Sequence, residues 1–264
     1  MAYRTLRFEI ERGIARITLD RPEVGNALDL DLATELAAAA DSCARDRSVR
    51  CVVLAGSGAR FCVGGDVGAF AARGSELPEY LSRVATSLHT AVARLSRMPA
   101  PLLAAVQGAA AGAGFSLACA ADLVVAAESA VFVVAYTALG LSPDGSSSFF
   151  LPRHVGLRRA LELTLTNRRL SAAEALEWGL VTAVVADEDL ESEVTDLAAR
   201  LAAGPTAAYA RSKRLLRTSF TESLETQMEQ ELWELVAGAG TADGREGIAA
   251  FVEKRRPEFR GLPE

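Results

Sequence analysis

The chain has 264 residues, of which 50% are hydrophobic and 23% are charged. This length and composition predict a globular protein with one large domain, or one domain and an appendage, rather than a disordered chain. The net charge of −6 makes a nucleic-acid binder a poor candidate, and four cysteines without C-x-x-C spacing beside two histidines argue against a zinc or iron–sulfur site.

The N-terminal segment alternates polar and apolar residues and has no apolar signal core, so we expect a cytoplasmic protein. Alternation over residues 6–10 and 15–19, separated by Arg12-Gly13, predicts a β-hairpin. The next predicted helix begins after Asp29, which is suited to cap it. The apolar face of that helix consists of Leu32, Leu36, Ala39 and Cys43.

Two short apolar strands are predicted next, at residues 50–55 and 101–106, and each ends in a glycine-rich loop. A helix over 115–121 and a strand over 123–127 follow, which predicts an α/β fold. The stretch from 98 to 121 has no charged residue and is long enough to span a bilayer. Its prolines, glycines and alanines favour a buried strand, turn and helix instead, so we expect no membrane.

The later helices have clear end signals. Ser171-x-x-Glu174 predicts a capping box, and Gly204-Pro205 predicts a helix with proline in its first position. Asp243-x-x-Glu246 is a candidate cap for the last helix. We therefore predict an α/β core over residues 1–203 and a helical region over 204–264 that packs on a core, its own or a neighbour's.

Two side-chain groups stand out in the helical region. An apolar stripe is typical of core or subunit contact; it consists of Met228, Leu232, Leu235 and Val236. A basic cluster suits either a solvated helix face or phosphate groups; it consists of Arg211, Lys213, Arg214 and Arg217.

The two glycine loops are Phe61-Cys-Val-Gly-Gly-Asp66 and Gly108-Ala-Ala-Ala-Gly-Ala-Gly114. They match neither the fingerprint of a dinucleotide-binding site nor a P-loop. Without side chains, glycine backbone can approach a ligand closely, and the second loop opens a helix whose free N–H groups favour negative charge. Two N–H groups that converge on one oxygen would form an oxyanion hole. The glycines could equally serve tight turns and close packing.

The order and spacing of several motifs resemble the crotonase (enoyl-CoA hydratase/isomerase) superfamily over nearly the whole chain. The Phe61–Asp66 loop is similar to the family pattern F-[CS]-x-G-[AG]-D, and residues 101–114 are similar to P-x-x-A-A-V-N-G-x-A-x-G-[GA]-G. Further matches are Ala121-Asp-Leu123, Glu174–Val181, Gly247-Ile-x-x-Phe251 and Pro257-x-Phe259.

The resemblance implies a spiral of ββα turns, a C-terminal helical region and assembly into a homotrimer or hexamer. It also implies an acyl-CoA thioester substrate, with coenzyme A as part of the substrate and no bound cofactor. The N–H groups of Gly65 and Ala113 would hold the thioester oxygen; Ala113 stands where the family usually has glycine. The remaining substrate-binding residues implied are Val24, Gly25, Val63, Gly64, Asp66, Val67, Gly112 and Ser116.

The reaction is less clear, because the two glutamates of the hydratases are replaced by Ser116 and Tyr136. Neither is a competent acid or base near neutral pH without unusual tuning. Asp144 remains; its Ser-Pro-Asp-Gly context is a favoured turn, but it is also found in isomerase-like members, where the aspartate faces the acyl pocket. One carboxylate suffices to move a proton between two carbons.

The resemblance extends to the 4-chlorobenzoyl-CoA dehalogenases, which have an aspartate, a histidine and an aromatic residue at the positions of Asp144, His89 and Tyr136. In that branch Asp144 would be the nucleophile and His89 a base, although His89 could simply lie on a helix surface. Three hypotheses follow: an isomerase with Asp144 as acid/base, an aryl-CoA dehalogenase or hydrolase, and a non-catalytic acyl-CoA binder.

Overall fold

The computed structural model describes residues 3–261, which form a mixed α/β fold. Within these residues the strands are β1 (Leu6–Glu11), β2 (Ile14–Leu19), β3 (Cys51–Gly56), β4 (Leu102–Val106), β5 (Ala109–Ala111), β6 (Leu123–Ala127), β7 (Val131–Val133), β8 (Leu170–Ser171) and β9 (Ala183–Val185). The larger sheet has the order β1-β2-β3-β4-β6-β9 and is parallel except for the β1–β2 hairpin. The smaller sheet has the order β5-β7-β8.

Helices cover both faces of the larger sheet and form the C-terminal region. In chain order they are α1 (Leu30–Arg45), α2 (Val67–Ala71), α3 (Leu77–Arg97), α4 (Ala113–Ala120), α5 (Ser147–Val155), α6 (Leu157–Thr166), α7 (Ala172–Glu177), α8 (Leu190–Ala203), α9 (Thr206–Thr218), α10 (Leu224–Ala239) and α11 (Ala242–Glu253).

Both faces of the central strands are buried. In β3, Val52 and Leu54 belong to the main core with α1, α3 and α4, whereas Val53 and Ala55 face a second core built on α8. A strand covered on both faces must be apolar at every position. This explains why β3 and β4 appear in the sequence as uninterrupted apolar runs.

Several sequence predictions are confirmed. The hairpin forms as expected, Asp29 caps α1 by accepting the N–H of Leu32 at 2.9 Å, and Ser171 and Glu174 form a reciprocal capping box. The uncharged stretch 98–121 is a buried strand, glycine turn and helix. In the described part of the chain, no helix combines the length and hydrophobicity that a bilayer crossing needs.

Three local predictions are wrong. Helix α4 begins at Ala113 and not at residue 115, and α9 begins at Thr206, so Pro205 precedes the first helical position. The last helix is capped by Thr241, which accepts the N–H of Gly244 at 2.9 Å. Asp243 instead accepts the backbone N–H groups of residues 260 and 261 and so fixes the C-terminal segment on the helix.

The side chains of the basic cluster of α9 all pair with carboxylates, and among its four members Arg214 alone is largely exposed, at 59%. Lys213 and Arg217 bind the carboxylate of Asp122 at 2.6 and 2.8 Å, and Asp122 also accepts the N–H of Leu102. Arg211 and Arg214 pair with Glu234 on α10. Because the Lys213 and Asp122 side chains are only 14% and 15% exposed, these bonds dock α9 on the core.

We expect Asp122→Ala to lower the free energy of unfolding by about 3 kcal/mol, because it leaves two partly buried cations without their partner. Denaturant unfolding followed by circular dichroism measures this loss. Glu11→Ala is the matched control, since its ion pair with Arg12 is 80–88% exposed and contributes less than about 1 kcal/mol. Equal loss in both variants would contradict the docking role of Asp122.

The predicted apolar stripe on α10 is exposed in the single chain. Met228, Leu232, Leu235 and Val236 are 52–73% exposed, and on α11 Phe251 is 85% exposed. These residues are therefore not part of the core of the single chain. The predicted boundary near Gly204 coincides with the start of α9, but whether residues 204–264 form a separate unit stays a prediction.

Candidate active site

The two glycine loops are held side by side by main-chain hydrogen bonds. Cys62 donates to the carbonyl of Ala109 at 3.1 Å, and Ala111 donates back to the carbonyl of Cys62 at 2.9 Å. On its other side the first loop pairs with Leu28, which donates to Gly64 at 2.7 Å and accepts from Asp66 at 2.8 Å. Main-chain hydrogen bonds therefore fix the position of the two loops relative to each other.

Close approach of the loops requires glycine at two positions. Gly64 and Gly112 have φ angles of +102° and +51°, where side chains are strained. A Cβ on Gly64 would lie 3.0 Å from the carbonyl oxygen of Ala111, and one on Gly112 would lie 3.4 Å from the Cα of Gly64. The glycines serve close packing, as the sequence allowed, and this packing brings the two loops together.

The N–H groups of Gly65 and Ala113 have no hydrogen-bond partner among residues 3–261. Ala113 is the first residue of α4, where an N–H has no acceptor within the helix. Both residues line one cavity. The wall of this cavity thus includes two residues whose backbone N–H groups are unused within the described part of the chain.

The cavity they line has a volume of about 270 Å³. Its wall is almost entirely apolar, and Asp144 is the single carboxylate in it. The other lining residues are Leu28, Val63, Gly64, Val67, Phe70, Leu81, Val84, Ala85, Leu88, Gly112, Ala135, Tyr136, Leu139, Leu141 and Ser142. An apolar cavity with a few converging polar groups is the usual form of a small-molecule site.

Asp144 is held by Tyr136. The tyrosine hydroxyl donates to Oδ1 of Asp144 at 2.6 Å, which is short enough for a charge-assisted hydrogen bond. Burial, and next the negative charge of Asp144, raise the pKa of Tyr136 well above its usual range. Tyr136 therefore stays protonated and acts as a donor and not as a base.

Ser116 lies behind the cavity and not in its wall. It is fully buried, and its hydroxyl donates to the carbonyl of Asp144 at 2.8 Å and lies 3.0 Å from the Tyr136 hydroxyl and 3.2 Å from the carbonyl of Gly112. This placement corrects the expectation that Ser116 contacts substrate. It instead connects α4, which carries the Ala113 donor, to the loop that carries Asp144.

His89 lies on α3 with its Nε2 atom 3.9 Å from Oδ2 of Asp144. The same nitrogen accepts the N–H of Gly145 at 3.3 Å, which requires a neutral imidazole protonated on Nδ1. The structure brings His89 close to Asp144 and its partner Tyr136, although His89 is distant from both in sequence. The side chain is 54% exposed, and His89 does not line the apolar cavity.

The other residues predicted to bind substrate fall into two groups. Val63, Gly64, Val67 and Gly112 line the cavity, whereas Val24, Gly25 and Asp66 lie outside its wall. Gly25 adjoins Val63, which donates its N–H to the Gly25 carbonyl at 3.0 Å. Asp66 caps α2 and pairs with Arg21 at 3.1 Å, so its side chain supports the loop.

Comparison with known proteins gives the family. The Enoyl-CoA hydratase/isomerase family model matches residues 9–262 of the chain.

The chain belongs to the enoyl-CoA hydratase/isomerase family.

The family members that are similar to this chain are named for different activities. A "Probable enoyl-CoA hydratase" of Rhodobacter capsulatus is 44% identical over 99% of this chain and 100% of its own. The 1,2-epoxyphenylacetyl-CoA isomerase of Escherichia coli is 39% identical over 96% of this chain and 97% of its own length. The 4-chlorobenzoyl coenzyme A dehalogenase-2 of an Arthrobacter species is 37% identical over 92% of this chain and 88% of its own length.

The fold agrees with solved structures of the family. A crystal structure of an enoyl-CoA hydratase from a Polaromonas species superposes with a TM-score of 0.92 at 38% identity, covering 97% of this chain and 99% of that one. This enoyl-CoA hydratase/isomerase family member therefore has the crotonase-like α/β fold with a C-terminal helical region that its motifs predict.

Two features of the site in this family member were not found by sequence reasoning. One is the hydrogen bond from Tyr136 to Asp144, and the other is the bridging position of Ser116. The glycine after Asp144 gave a partial indication that Ser116 packs against this loop. Gly145 has a φ angle of +59°, and a Cβ there would lie 2.9 Å from the Cβ of Ser116.

Proposed function

We propose that this chain is an enoyl-CoA isomerase that moves a carbon–carbon double bond of an acyl-CoA thioester. The observation that supports it best is the pairing of two unused N–H donors with a single carboxylate, Asp144, in one apolar cavity. Moving a double bond needs a stabilised enolate and one group that takes and returns a proton. The cavity contains these parts and no second carboxylate.

In the proposed reaction the thioester carbonyl oxygen accepts hydrogen bonds from Gly65 and Ala113. Asp144 removes a proton from the carbon between the carbonyl and a β,γ double bond, and the electron pair of that C–H bond forms the enolate. The enolate then takes the proton back at the γ carbon, so the double bond moves into conjugation with the carbonyl. No atom is gained or lost, and Asp144 ends as it began.

Hydration by the two-glutamate mechanism has little support, because Ser116 and Tyr136 occupy those positions. Ser116 is enclosed by three hydrogen-bond partners, and the pKa of Tyr136 is raised by burial and by Asp144. Neither side chain can activate a water molecule at neutral pH. The hydratase name of a relative therefore carries less weight than the residues in this cavity.

The substrate follows from the shape and polarity of the cavity. A volume of about 270 Å³ with an aliphatic wall suits a short unsaturated or aromatic acyl group. We propose that coenzyme A extends outward from the cavity along the backbone of residues 63–67 and 24–25.

A second candidate, aryl-CoA dehalogenation, is favoured by one observation. His89 lies within 3.9 Å of Asp144, and a relative at 37% identity is named 4-chlorobenzoyl coenzyme A dehalogenase-2. Asp144 would then attack the aryl carbon that carries the halogen, and halide would leave. Water would hydrolyse the resulting ester with His89 as the base.

One panel of thioesters tests these proposals. We expect a 3-enoyl-CoA to be converted to its conjugated 2-enoyl isomer, followed by absorbance, and 4-chlorobenzoyl-CoA to release no chloride. Chloride release without isomerisation would favour the dehalogenase. Tight binding with no turnover of any thioester in the panel would support a non-catalytic binder and overturn the isomerase.

We expect Tyr136→Phe to reduce isomerase kcat by about 10-fold or more, because a hydrogen bond to a charged group contributes about 1.5–3 kcal/mol. The ring keeps its packing, so KM should change little. Steady-state kinetics of the 3-enoyl substrate measures both constants. Thr137→Val, which removes a neighbouring hydroxyl that faces Thr164 and Asn167 and not Asp144, is the control. A Tyr136→Phe enzyme with full kcat would show that the bond serves folding alone.

We also propose assembly into a homotrimer or hexamer. The exposed apolar side chains of α10 and α11 support it, since contiguous apolar surface is typical of an interface. Light scattering coupled to size exclusion measures the mass. A monomer at micromolar concentration would contradict this proposal.

A further inference from the structure

Asp144 separates two cavities. One is the apolar cavity with the Gly65 and Ala113 donors. The other has a volume of about 630 Å³ and is lined on its polar side by His89, Ser96, Arg97, Ser148 and Arg153. Asp144 is the single residue that both cavities share.

The two oxygens of Asp144 have different surroundings. Oδ1 is occupied by the short hydrogen bond from Tyr136, whereas Oδ2 is the atom nearest to His89, at 3.9 Å. That gap is too long for a direct hydrogen bond, but one water molecule beside it can contact both atoms. The second cavity is large enough to hold water, and its histidine, serine, threonine and arginine side chains offer that water polar partners.

We infer that the second cavity is a proton-exchange route, through which Asp144 trades its proton with solvent during each turnover, with His89 as the relay. The inference rests on the proposed isomerase activity. It assigns His89 a role in isomerisation that differs from its role as the base of a dehalogenase.

The exchange conserves atoms and charge. After Asp144 has taken a proton from the substrate, its O–H bond breaks and the proton passes to the bridging water. That water gives one of its own protons to Nε2 of His89, where an N–H bond forms while the contact with the Gly145 N–H is released. The imidazolium loses that proton to water in the second cavity, and a solvent proton returns by the same path to Asp144. The enolate then receives a solvent proton in place of its own.

The first cavity is the less favourable side for exchange with water. Its wall is apolar apart from Tyr136, Ser142, Asp144 and backbone groups, so a bound acyl chain would displace water there. Without the second cavity a single carboxylate would return the same proton it removed. The origin of the proton in the product therefore reports on the route.

Isomerisation of a 3-enoyl-CoA in D₂O, stopped at low conversion and analysed by mass spectrometry, tests the inference. We expect most product molecules from the natural enzyme to carry one deuterium. In His89→Gln the amide can still accept the Gly145 N–H but cannot relay a proton, so deuterium per turnover should fall several-fold. A purely structural role for His89 would change the rate but not this ratio.

Thr90→Val is the matched control, since Thr90 is the exposed neighbour of His89 on α3 and lines neither cavity. It should retain the deuterium content of the natural enzyme. Equal deuterium content in His89→Gln and the natural enzyme would overturn the relay. Product without deuterium from the natural enzyme would overturn the route itself.

A second measurement separates this inference from the proposed function. Exchange of the α protons of phenylacetyl-CoA in D₂O, followed by NMR, requires the oxyanion hole and the route but no double bond. Exchange without isomerisation of any enoyl substrate would refute the isomerase and retain the route. Isomerisation with complete internal return of the proton would refute the route and retain the isomerase.

Discussion

Asp144→Asn should lower isomerase kcat by about 10²–10⁴-fold, because it removes the one group in the cavity that can accept a proton near neutral pH. The side-chain amide keeps the shape of the carboxylate, and its oxygen can still accept the hydrogen bond from Tyr136. Affinity for a 2-enoyl-CoA should therefore change by no more than a few-fold. Steady-state kinetics and calorimetric titration measure the two effects separately.

The control for this substitution is Asp31→Asn, which changes an aspartate on α1 whose side chain is 60% exposed. It should leave both kcat and affinity unaltered. An Asp144→Asn enzyme that retains a substantial part of its kcat would exclude the aspartate as acid/base. Chloride release from 4-chlorobenzoyl-CoA by the natural enzyme would assign the same aspartate to nucleophilic attack instead.

Ala113→Pro should remove one donor of the proposed oxyanion hole without breaking α4. Proline has no N–H but is well tolerated at the first position of a helix, which Ala113 occupies. The preceding Gly112 has a ψ angle of −121°, outside the α region that proline disfavours in its neighbour. Loss of one such donor costs about 2.7–4 kcal/mol, or about 10²–10³ in kcat.

The matched control is Ala113→Gly, which keeps the N–H and removes only a methyl group. Its kcat should stay close to that of the natural enzyme, and circular dichroism should show equal helix content in both variants. If the two variants had similar kcat, the N–H of Ala113 would have no part in stabilising the enolate. The comparison separates the donor from the side chain at one position.

Much of this site could be predicted because its key groups are main-chain atoms fixed by local sequence. Runs of apolar residues that end in glycine predict where strands β3 and β4 stop and where loops approach each other. Asp144 could be selected as the remaining carboxylate in a motif. These arguments depend on neighbours in the chain, which a sequence displays directly.

The rest depends on contacts between distant residues. Ser116 could be taken for a substrate contact because nothing near it reveals that Tyr136 and the Asp144 carbonyl enclose its hydroxyl. The cavity around His89 likewise forms only when α3, α5 and α9 pack together. Thr241 and Asp243 are both suited to cap the last helix. Thr241 is its N-cap, because the Asp243 carboxylate instead binds the C-terminal segment.

The parallel pairing of Cys62 with Ala110 also bears on how new activities arise in such a scaffold. Point mutations exchange side chains, but every amino acid other than proline carries the same amide hydrogen. The proposed enolate-holding pair is thus little affected by side-chain substitution, while the side chains at 116, 136 and 144 can each be replaced by a single mutation. On the proposed function, a lineage can exchange one reaction for another and still keep the intermediate that they share.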